Sequence, residues 1–457
     1  MILRKASVMA IAALFVLPSA VAQSGQDAVV RVLVASGIEE VRISGRGGDL
    51  DVETSPSSGV IATLQNGQVA GVAPSRSHVR VEMNDQVVNM DRATFRPSPG
   101  AHAVVHSGNR STAYSGIIEV SLNARGRLVV TNTLEVEDYV SSVVASEYNL
   151  ETGEGMRAMA IVARTFALAT SRANGEGIRG QAYGGADAVT DASRDAAAST
   201  RGQILVFEGT PIEALYSASN GGFSASSADV WGGDALSYMP SRADPYDRSA
   251  SPHINWSSSL ERSDVIKALR AEYGSRIDDF KIERRGPDGR VRDVILVDDR
   301  GGKSLISANS FRLAVTRRLG ANALRSTLFE LRSRGNSLEF TGSGYGHGVG
   351  LSQWGTYAMA REGRNARQIL DFYYPGTNIS AERDASSRFP VAAAIAEVPP
   401  TPTAEHDESV TRTTREATTS VPVIDDSDRS SPPRHTSVGW TAAPEETRGK
   451  RARRVGW

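Results

Sequence analysis

Three features of this 457-residue chain combine residue types and spacings that could do chemistry. One is a carboxylate, Glu147, followed by two arginines seven residues apart, Arg157 and Arg164. The other two are glycine-rich turns, Asn220-Gly221-Gly222 and the run from Gly344 to Gly350. A single carboxylate can act as a general acid or base, and glycine lets the backbone approach a ligand closely. Alone, however, a charged residue on a helix is most often a solvated surface residue.

The elements that hold these residues follow from hydrophobic periodicity. Between about residues 28 and 133, short Val- and Ile-rich runs alternate with Gly, Asn and Ser, which predicts a β-rich region. The Asn66-Gly67 pair and the Ala124-Arg125-Gly126 triplet are typical of hairpin loops. We therefore predict paired strands on the two sides of each.

Helical periodicity begins at Glu135. Tyr139, Val143 and Glu147 lie at i, i+4 and i+8, on one face of a predicted helix. A second helix is predicted from about Met156 to Arg172, and it carries the two arginines on a shared face. The carboxylate and the basic face thus belong to consecutive helices.

Strands and helices continue to about residue 380 without a regular βαβ alternation, which predicts an α+β fold rather than a doubly wound sheet. Within this part, Ser263 is a candidate N-cap for a helix that extends to Tyr273. Residues 381–457 are rich in Pro, Thr, Ser, Glu and Arg, and we predict a disordered tail. The predicted organisation is a leader at 1–22, a β-rich region at 23–133, a mixed domain at 134–380 and this tail.

The leader has the pattern of a secretory signal peptide. Arg4 and Lys5 precede an apolar run from Ala6 to Leu17, and Ala20-Val21-Ala22 places small residues at the −3 and −1 positions of a cleavage site. The apolar run is too short to span a bilayer comfortably. We expect an exported protein in the periplasm or the cell wall, with no transmembrane span in its mature form.

Composition and missing motifs exclude several classes of function. The 51 basic and 52 acidic residues give a net charge of −1, which lacks the positive field expected of a nucleic-acid-binding protein. The chain has no cysteine, so a disulfide, a thiol nucleophile and cysteine-ligated zinc are excluded. It also has no His-Glu-x-x-His motif and no serine with an identifiable base, and neither of the two glycine-rich turns named above is followed by Gly-Lys-Ser/Thr. We expect neither a metal nor another cofactor.

Three segments of the chain follow one another in a characteristic order. They are Leu134–Glu147 with Met156–Ala167, Ala214–Ser224 with Trp231 and Asp244-Pro245, and Gly344–Gly355 with Ile369–Thr377. Together they resemble the SpoIID/LytB family, and the resemblance extends over roughly residues 134–379. One segment alone would be a weak match, but the ordered combination is specific.

The resemblance implies an exported protein that acts on the glycan strands of peptidoglycan. Sporulation members of the family cleave between N-acetylmuramic acid and N-acetylglucosamine, prefer strands without stem peptides and leave a 1,6-anhydro end. Glu147 matches the family's catalytic glutamate. The chain departs from the family pattern at Arg157, where Lys is usual, and at Met159, where Gln is usual. Between Asn174 and Tyr183 it lacks the Cys and His with which some members bind zinc, so we expect no zinc.

A lytic transglycosylase can use one carboxylate where most glycosidases need two. The substrate's own C6 hydroxyl attacks the anomeric carbon, so a single Glu protonates the leaving oxygen and then accepts the proton of that hydroxyl. Glu147 must start protonated, which requires an apolar pocket or a neighbouring carboxylate that raises its pKa. An arginine in direct contact would lower that pKa. We therefore expect Arg157 and Arg164 to bind substrate, or to stabilise the carboxylate after the first proton transfer.

Further candidate substrate-binding residues lie in the second and third segments. They are Tyr216, Ser219, Gly221, Gly222, His347, Ser352 and Gln353. For His347, a structural role as a donor to a backbone carbonyl is an equal alternative. For the whole protein, the alternative is a non-catalytic, glycan-binding enhancer of an N-acetylmuramoyl-L-alanine amidase, which would share every motif. The expected partners are glycan strands and, in that alternative, an amidase.

Overall fold

A computed structural model describes residues 28–54, 59–150, 152–173 and 177–385. The predicted signal peptide at residues 1–22 lies outside the described residues, as does the predicted tail beyond residue 385. Within the described ranges, the chain forms three regions, each with its own hydrophobic cluster.

The first region consists of two antiparallel sheets, each of six strands in the described residues, that share one hydrophobic core. One sheet has the order β1-β12-β11-β8-β3-β4, formed by Val29–Ile38, Leu128–Glu135, Ile117–Leu122, Ala93–Pro97, Leu50–Glu53 and Val60–Leu64. The other has the order β10-β9-β2-β5-β6-β7, formed by Arg110–Tyr114, His102–Ser107, Val41–Arg46, Val69–Ser75, His78–Met83 and Gln86–Met90. In β6, Val79, Val81 and Met83 are buried and the residues between them are exposed, which is the period-two pattern of a half-buried strand.

The two predicted hairpin loops have different outcomes. Ala124-Arg125-Gly126 connects β11 to β12, which pair antiparallel as far as Leu122 and Leu128. The hairpin prediction for Asn66-Gly67 is wrong, because this pair joins β4 of one sheet to β5 of the other. Both connections need a tight turn with glycine at positive φ, so the local residues do not distinguish them.

The helical part of the chain begins where the first region ends. α1 (Val136–Glu147) has two acidic residues in its first turn, which favour a helix N-terminus. α2 (Gly153–Ala173) starts three residues earlier than predicted, and it packs on α1 and on α3 (Asp191–Ser199). Thr190 begins α3 by accepting a hydrogen bond from the Ser193 amide at 3.1 Å.

A buried ion pair ties these helices together. Arg164 of α2 is 0% exposed, and its Nη2 and Nε donate to the two carboxylate oxygens of Glu137 at 2.6 and 3.0 Å. The same guanidinium donates to the carbonyls of Ala197 and Gln203, each at 3.1 Å. One side chain therefore joins α1, α2, α3 and the start of β13 (Gln203–Phe207).

The rest of the second region surrounds the glycine-rich segments. β13 pairs with β14 (Thr210–Pro211) and β23 (Asn378–Ala381), and β15 (Tyr216–Ser217) pairs in parallel with β22 (Leu351–Ser352). The helices here are α4 (Ser227–Trp231), α5 (Pro245–Ala250), α8 (Gln353–Arg361), α9 (Ala366–Tyr373) and α10 (Glu382–Ala385). The β15–β22 pair places the second and third sequence segments side by side.

The third region is an insertion with its own core, from Trp256 to Gly342. Its sheets have the orders β16-β21-β20 and β17-β18-β19, formed by Trp256–Glu261, Ser337–Gly342 and Phe329–Arg334, and by Ile277–Arg285, Val291–Asp298 and Lys303–Ser307. Helices α6 (Arg262–Tyr273) and α7 (Ala308–Leu319) pack on these sheets and on each other. The N-cap prediction for Ser263 is wrong, because α6 already includes it and Glu261 stands at the cap position.

The predicted α+β class, with a β-rich part before the mixed one, is confirmed by this arrangement of strands and helices. None of the helices in the described ranges is long and apolar enough to span a membrane. The elements α1, β15 and α8 meet at Glu147, Tyr216 and Gln353.

The buried ion pair predicts a contrast between two arginines of the same helix. Arg164→Met leaves the Glu137 carboxylate buried without its cation, so the free energy of unfolding should fall by about 3 to 5 kcal/mol. Arg157→Met is the matched control, because Arg157 is 44% exposed and pairs with Glu154 at the surface, and it should cost less than about 1 kcal/mol. Urea unfolding at pH 7 measures both, and equal losses would contradict the assignment.

Candidate active site

Glu147 is the last residue of α1, and its side chain is buried, with 2% exposed. α1 places it there because Tyr139 and Val143, on the same face, are fully buried in the core. Beyond the helix, the backbone amide of Ala182 donates to Oε1 of Glu147 at 2.5 Å. The carboxyl group therefore lies between the helix end and the segment that contains Ala182.

Burial raises the pKa of the Glu147 carboxyl to about 7, and hydrogen bonds from Ala182, Tyr216 and Gln353 oppose the rise. No arginine or lysine of the described residues is among the groups that set this pKa. Among the described residues, Oε2 of Glu147 has no partner that meets the full distance and angle requirements of a hydrogen bond, although Tyr216 and Gln353 interact with the carboxyl group. The carboxyl group can thus hold a proton closer to neutral pH than an ordinary glutamate, which suits a general acid that later acts as a base.

Tyr216 is held in place by a further layer of polar groups. The Tyr139 hydroxyl donates to Oε1 of Gln181 at 2.6 Å. Burial raises the pKa of Tyr216 well above its ordinary value, as does the nearby Glu147 carboxylate, whereas a hydrogen bond from Gln181 lowers it. Tyr216 therefore keeps its proton and can donate a hydrogen bond when Glu147 is ionised.

The structure contradicts the predicted role of Arg164 and leaves that of Arg157 a prediction. Arg164 cannot touch a substrate, because it is fully buried on Glu137. Arg157 is 44% exposed on Glu154 and is absent from the groups that shift the pKa of Glu147. The stabilisation expected from arginine comes instead from neutral donors, which leave the carboxyl able to hold a proton.

The two glycine-rich segments approach each other, whereas we predicted that they approach a substrate. Gly221 and Gly344 have φ values of 76° and 87°, and a Cβ atom at Gly344 would lie 3.0 Å from the carbonyl oxygen of Ser219. Ser219 and Tyr345 exchange backbone hydrogen bonds of 3.1 and 2.8 Å. Close packing of backbone on backbone is the reason these positions require glycine.

A buried aspartate, Asp247 of α5, joins the same two segments. Its Oδ2 accepts hydrogen bonds from the Ser219 hydroxyl and the Gly222 amide, both at 2.9 Å, and its Oδ1 accepts from the Ser352 hydroxyl at 2.6 Å. Burial raises the pKa of Asp247 to about 6, although these donors oppose the rise. The predicted substrate-binding hydroxyls of Ser219 and Ser352 are therefore engaged by Asp247 and position the segments.

Sequence reasoning missed Asp247, although a signal was present. Asp244-Pro245 begins α5, with Asp244 as the N-cap that accepts from the Asp247 amide at 2.9 Å. Asp244 also accepts hydrogen bonds from Asn220 at 2.7 Å and from Tyr373 at 2.8 Å. A helix start of this kind fixes the third following residue on the first turn, where it can reach the glycine-rich segment.

His347 lies in the third segment against Trp231, with ring centroids 5.1 Å apart. Its Nδ1 accepts a hydrogen bond from the Val349 amide at 3.0 Å, and its other nitrogen donates to the backbone of Tyr216. Burial, followed by the charge of Arg312, lowers the pKa of His347 to about 3. The ring is neutral at physiological pH, and its contacts are those of the structural alternative.

The insertion holds the second segment through Arg290, which is fully buried. Its Nη2 donates to the carbonyl of Asn220 and, at 3.1 Å, to the carbonyl of Phe223. A Cβ atom at Gly348 would lie 2.4 Å from the same Nη2, so the third segment packs against this guanidinium as well. The insertion thereby fixes both segments that face Glu147.

Comparison with known proteins agrees with this architecture. The family model described as Stage II sporulation protein matches residues 124–207, and a model of a domain of unknown function matches residues 234–350. Stage II sporulation protein D of Bacillus subtilis (strain 168) is 30% identical over 275 residues, which cover 55% of this chain and 76% of that protein. This chain belongs to the SpoIID/LytB family.

Other relatives carry different names. An uncharacterized protein of Brachyspira hyodysenteriae (strain ATCC 49526 / WA1) is 29% identical over 264 residues, which cover 55% of this chain and 68% of that protein. A protein of Bacillus subtilis (strain 168) named amidase enhancer is 26% identical over 272 residues, 50% of this chain and 38% of that protein. The relatives of this chain therefore carry more than one kind of name.

The matched ranges divide the SpoIID/LytB site. The range 124–207 contains Glu147 and Ala182, and the range 234–350 contains Asp247 and the insertion. Tyr216 and Gln353, which face the Glu147 carboxyl, lie outside both ranges. The site is therefore assembled by tertiary packing from parts that neither match covers alone.

In the part of the chain that the structure describes, no group of three or more His, Asp or Glu side chains is placed to hold a metal ion. His102 and His106 are four residues apart, the spacing at which two histidines on a helix can bind one metal ion. They lie on strand β9, however, where four residues span about 13 Å. His106 instead contacts the hydroxyls of Ser44 at 2.9 Å and Ser111 at 2.7 Å.

The raised pKa of Glu147 predicts a pH-dependent effect of Glu147→Gln on the stability of this SpoIID/LytB protein. The folded state holds the proton more tightly than the unfolded state, so this contribution is present below pH 4.5 and is lost as pH rises through about 7. Since Gln cannot ionise, the variant should be more stable than the wild type at pH 8, by at most about 3 kcal/mol. The two proteins should converge near pH 4.5.

Thermal melting of both proteins at several pH values measures this difference. The matched control is Asp138→Asn, which removes an exposed carboxylate from the same helix. It should leave the pH dependence of the melting temperature as in the wild type. A Glu147→Gln curve parallel to that of the wild type would refute the buried, proton-holding carboxyl.

Proposed function

We propose that this SpoIID/LytB protein is a lytic transglycosylase that cleaves between N-acetylmuramic acid and N-acetylglucosamine in peptidoglycan strands without stem peptides. The observation that carries the proposal is the state of Glu147. Its carboxyl is buried, its pKa is raised to about 7, and neutral donors surround it. Such a group can give up a proton and take one back at the same pH.

The reaction needs no second carboxylate and no water. Protonated Glu147 donates its proton to the glycosidic oxygen, and the bond between that oxygen and C1 of N-acetylmuramic acid breaks. The C6 hydroxyl of the same sugar forms a bond to C1, and the Glu147 carboxylate accepts the proton of that hydroxyl. The products are a free 4-hydroxyl on N-acetylglucosamine and a 1,6-anhydro-N-acetylmuramic acid end, and the enzyme regains its starting protonation.

Tyr216 and Gln353 would stabilise Glu147 in the step of the reaction at which its carboxyl group is ionised. Both side chains lower the pKa of Glu147 by hydrogen bonding to its ionised form. They stabilise the carboxylate that remains after the first proton transfer without the larger pKa depression that an arginine would cause. Burial and these donors together keep the pKa near 7, where both transfers can occur.

The proposed substrate determines where in the cell the protein would act. Peptidoglycan lies outside the inner membrane, so we propose that the protein acts after export, in the periplasm or the cell wall. The amino-terminal pattern from Arg4 to Ala22 supports export.

The activity predicts a defined product. Incubation of amidase-treated peptidoglycan with the wild-type protein should release fragments with 1,6-anhydro-N-acetylmuramic acid ends, detected by mass spectrometry. Glu147→Gln should lower their release by at least about 100-fold, because the amide can neither donate nor accept the required proton. Asp138→Asn, on the same helix, is the matched control and should retain activity.

Fragments with reducing N-acetylmuramic acid ends would show that the protein is a hydrolase and not a transglycosylase. Anhydro products from the Glu147→Gln variant would refute the assignment of Glu147. Either result would leave the family membership untouched.

One observation favours a second candidate function, that of a non-catalytic enhancer of a cell-wall amidase. Glu147 is 2% exposed under the Ala182 segment, so a glycosidic oxygen can reach it after that segment moves. A relative is also named amidase enhancer. Retained glycan binding without anhydro products, together with faster amidase turnover when the protein is added, would establish this candidate in place of the first.

A further inference from the structure

A strip of side chains lies where the insertion meets the third segment. Its members, which we call the arginine strip, are all partly exposed: Trp231, His253, Arg312, Arg325, Tyr345 and His347. Ring centroids of His253 and Tyr345 are 5.1 Å apart and stacked, and those of Trp231 and His347 are also 5.1 Å apart. Aromatic rings therefore flank the two arginines.

The two arginines of the strip have neutral neighbours. Arg312 donates from Nε and Nη2 to Oδ1 of Asn309 at 3.2 and 3.0 Å. Arg325 lies 3.5 Å from Nδ1 of His253, whose pKa is lowered to about 4 by burial and then by the Arg325 charge. Among the described residues, neither arginine forms an ion pair with a carboxylate.

Two arginines at this junction that are buried, unlike those of the strip, are compensated by carboxylates. Arg292 has Asp229 at 2.8 Å and Asp288 at 2.9 Å, and Arg290 has Asp288 at 3.6 Å. Arg312 differs, since burial lowers its pKa to about 10 and no carboxylate offsets the cost. A guanidinium that is positioned by an amide and left without an anion has free donors for a ligand.

The chemistry of the strip specifies the ligand. Guanidinium groups bind planar carboxylates through paired hydrogen bonds, and the faces of Trp and Tyr rings pack on the apolar faces of sugars. A carboxylate joined to a sugar ring by a short ether-linked group satisfies both. A carboxylate at the end of a flexible peptide would leave the aromatic rings unused.

We propose that the arginine strip binds the lactyl carboxylate of an N-acetylmuramic acid residue in a glycan strand that has lost its stem peptide. With the peptide attached, this carboxyl group forms an amide bond and carries no charge. His347 connects the strip to the proposed catalytic group, because it forms a hydrogen bond with the backbone of Tyr216, whose side chain interacts with the Glu147 carboxyl. The inference rests on the proposed substrate and assigns the residues that select it.

A pair of ligands tests the inference without substituting either arginine. One is a tetrasaccharide of alternating N-acetylglucosamine and N-acetylmuramic acid with free lactyl carboxylates, and the other is its lactyl methyl ester. Calorimetric titration of the Glu147→Gln protein, which should not cleave them, should show about 10- to 100-fold tighter binding of the acid. Equal affinity for the acid and the ester would overturn the inference.

Variants then locate the effect within the Glu147→Gln background. Arg312→Gln and Arg325→Gln should weaken binding of the acid toward that of the ester and leave the affinity for the ester unchanged. Arg318→Gln is the matched control, because it removes an exposed arginine from the same helix as Arg312. Thermal melting checks that each variant is folded. Equal weakening of both ligands would also count against the inference.

The outcomes separate this inference from the proposed function. Preference for the acid in a wild-type protein that releases no anhydro products would keep the arginine strip and refute the transglycosylase. Anhydro products without that preference would keep the transglycosylase and refute the strip.

Discussion

The burial of an ionisable carboxyl group without a cation beside it is the constraint on which the site depends. An ion-paired Glu147 would be ionised at neutral pH, and a solvated one would titrate near its ordinary value. The fold avoids both states. It ends α1 at Glu147, covers the carboxyl with the Ala182 segment, and surrounds it with neutral donors. Arg164, on the next helix, is turned away from it and fixed to Glu137.

Those neutral donors come from distant parts of the chain, so their placement depends on the two glycine-rich segments. Tyr216 and Gln353 belong to segments that pair in parallel through β15 and β22. Asp247 holds the segments from one side through both of its oxygens. Arg290 of the insertion holds the Asn220 carbonyl from another side. The insertion therefore helps to position the residues that interact with the Glu147 carboxyl, although its own core is separate.

Much of this could be predicted from residue patterns, and the remainder could not for a physical reason. The period of the first helix placed Tyr139, Val143 and Glu147 on one buried face, as observed. Periodicity indicates which face of a helix or strand is buried, but it does not indicate which residues that face contacts. The sequence therefore predicts a substrate contact for Arg164, whose partner is Glu137. It also predicts a ligand contact for the glycine-rich segments, which instead pack against each other. Asp247 could not be predicted in this way, because its hydrogen bonds form only when three segments of the folded chain meet.

The distribution of arginines follows from the same constraint. The proposed recognition of an anionic sugar needs cations, yet a cation against Glu147 would lower the pKa of this carboxyl and remove the proton that the proposed first transfer requires. The two demands are compatible only when the charges are separated in space. In this structure the compensated arginines are internal, and neither Arg312 nor Arg325 is among the groups that shift the pKa of Glu147. His347 connects the arginine strip to the backbone of Tyr216 without adding a charge, because burial and then the charge of Arg312 lower its pKa.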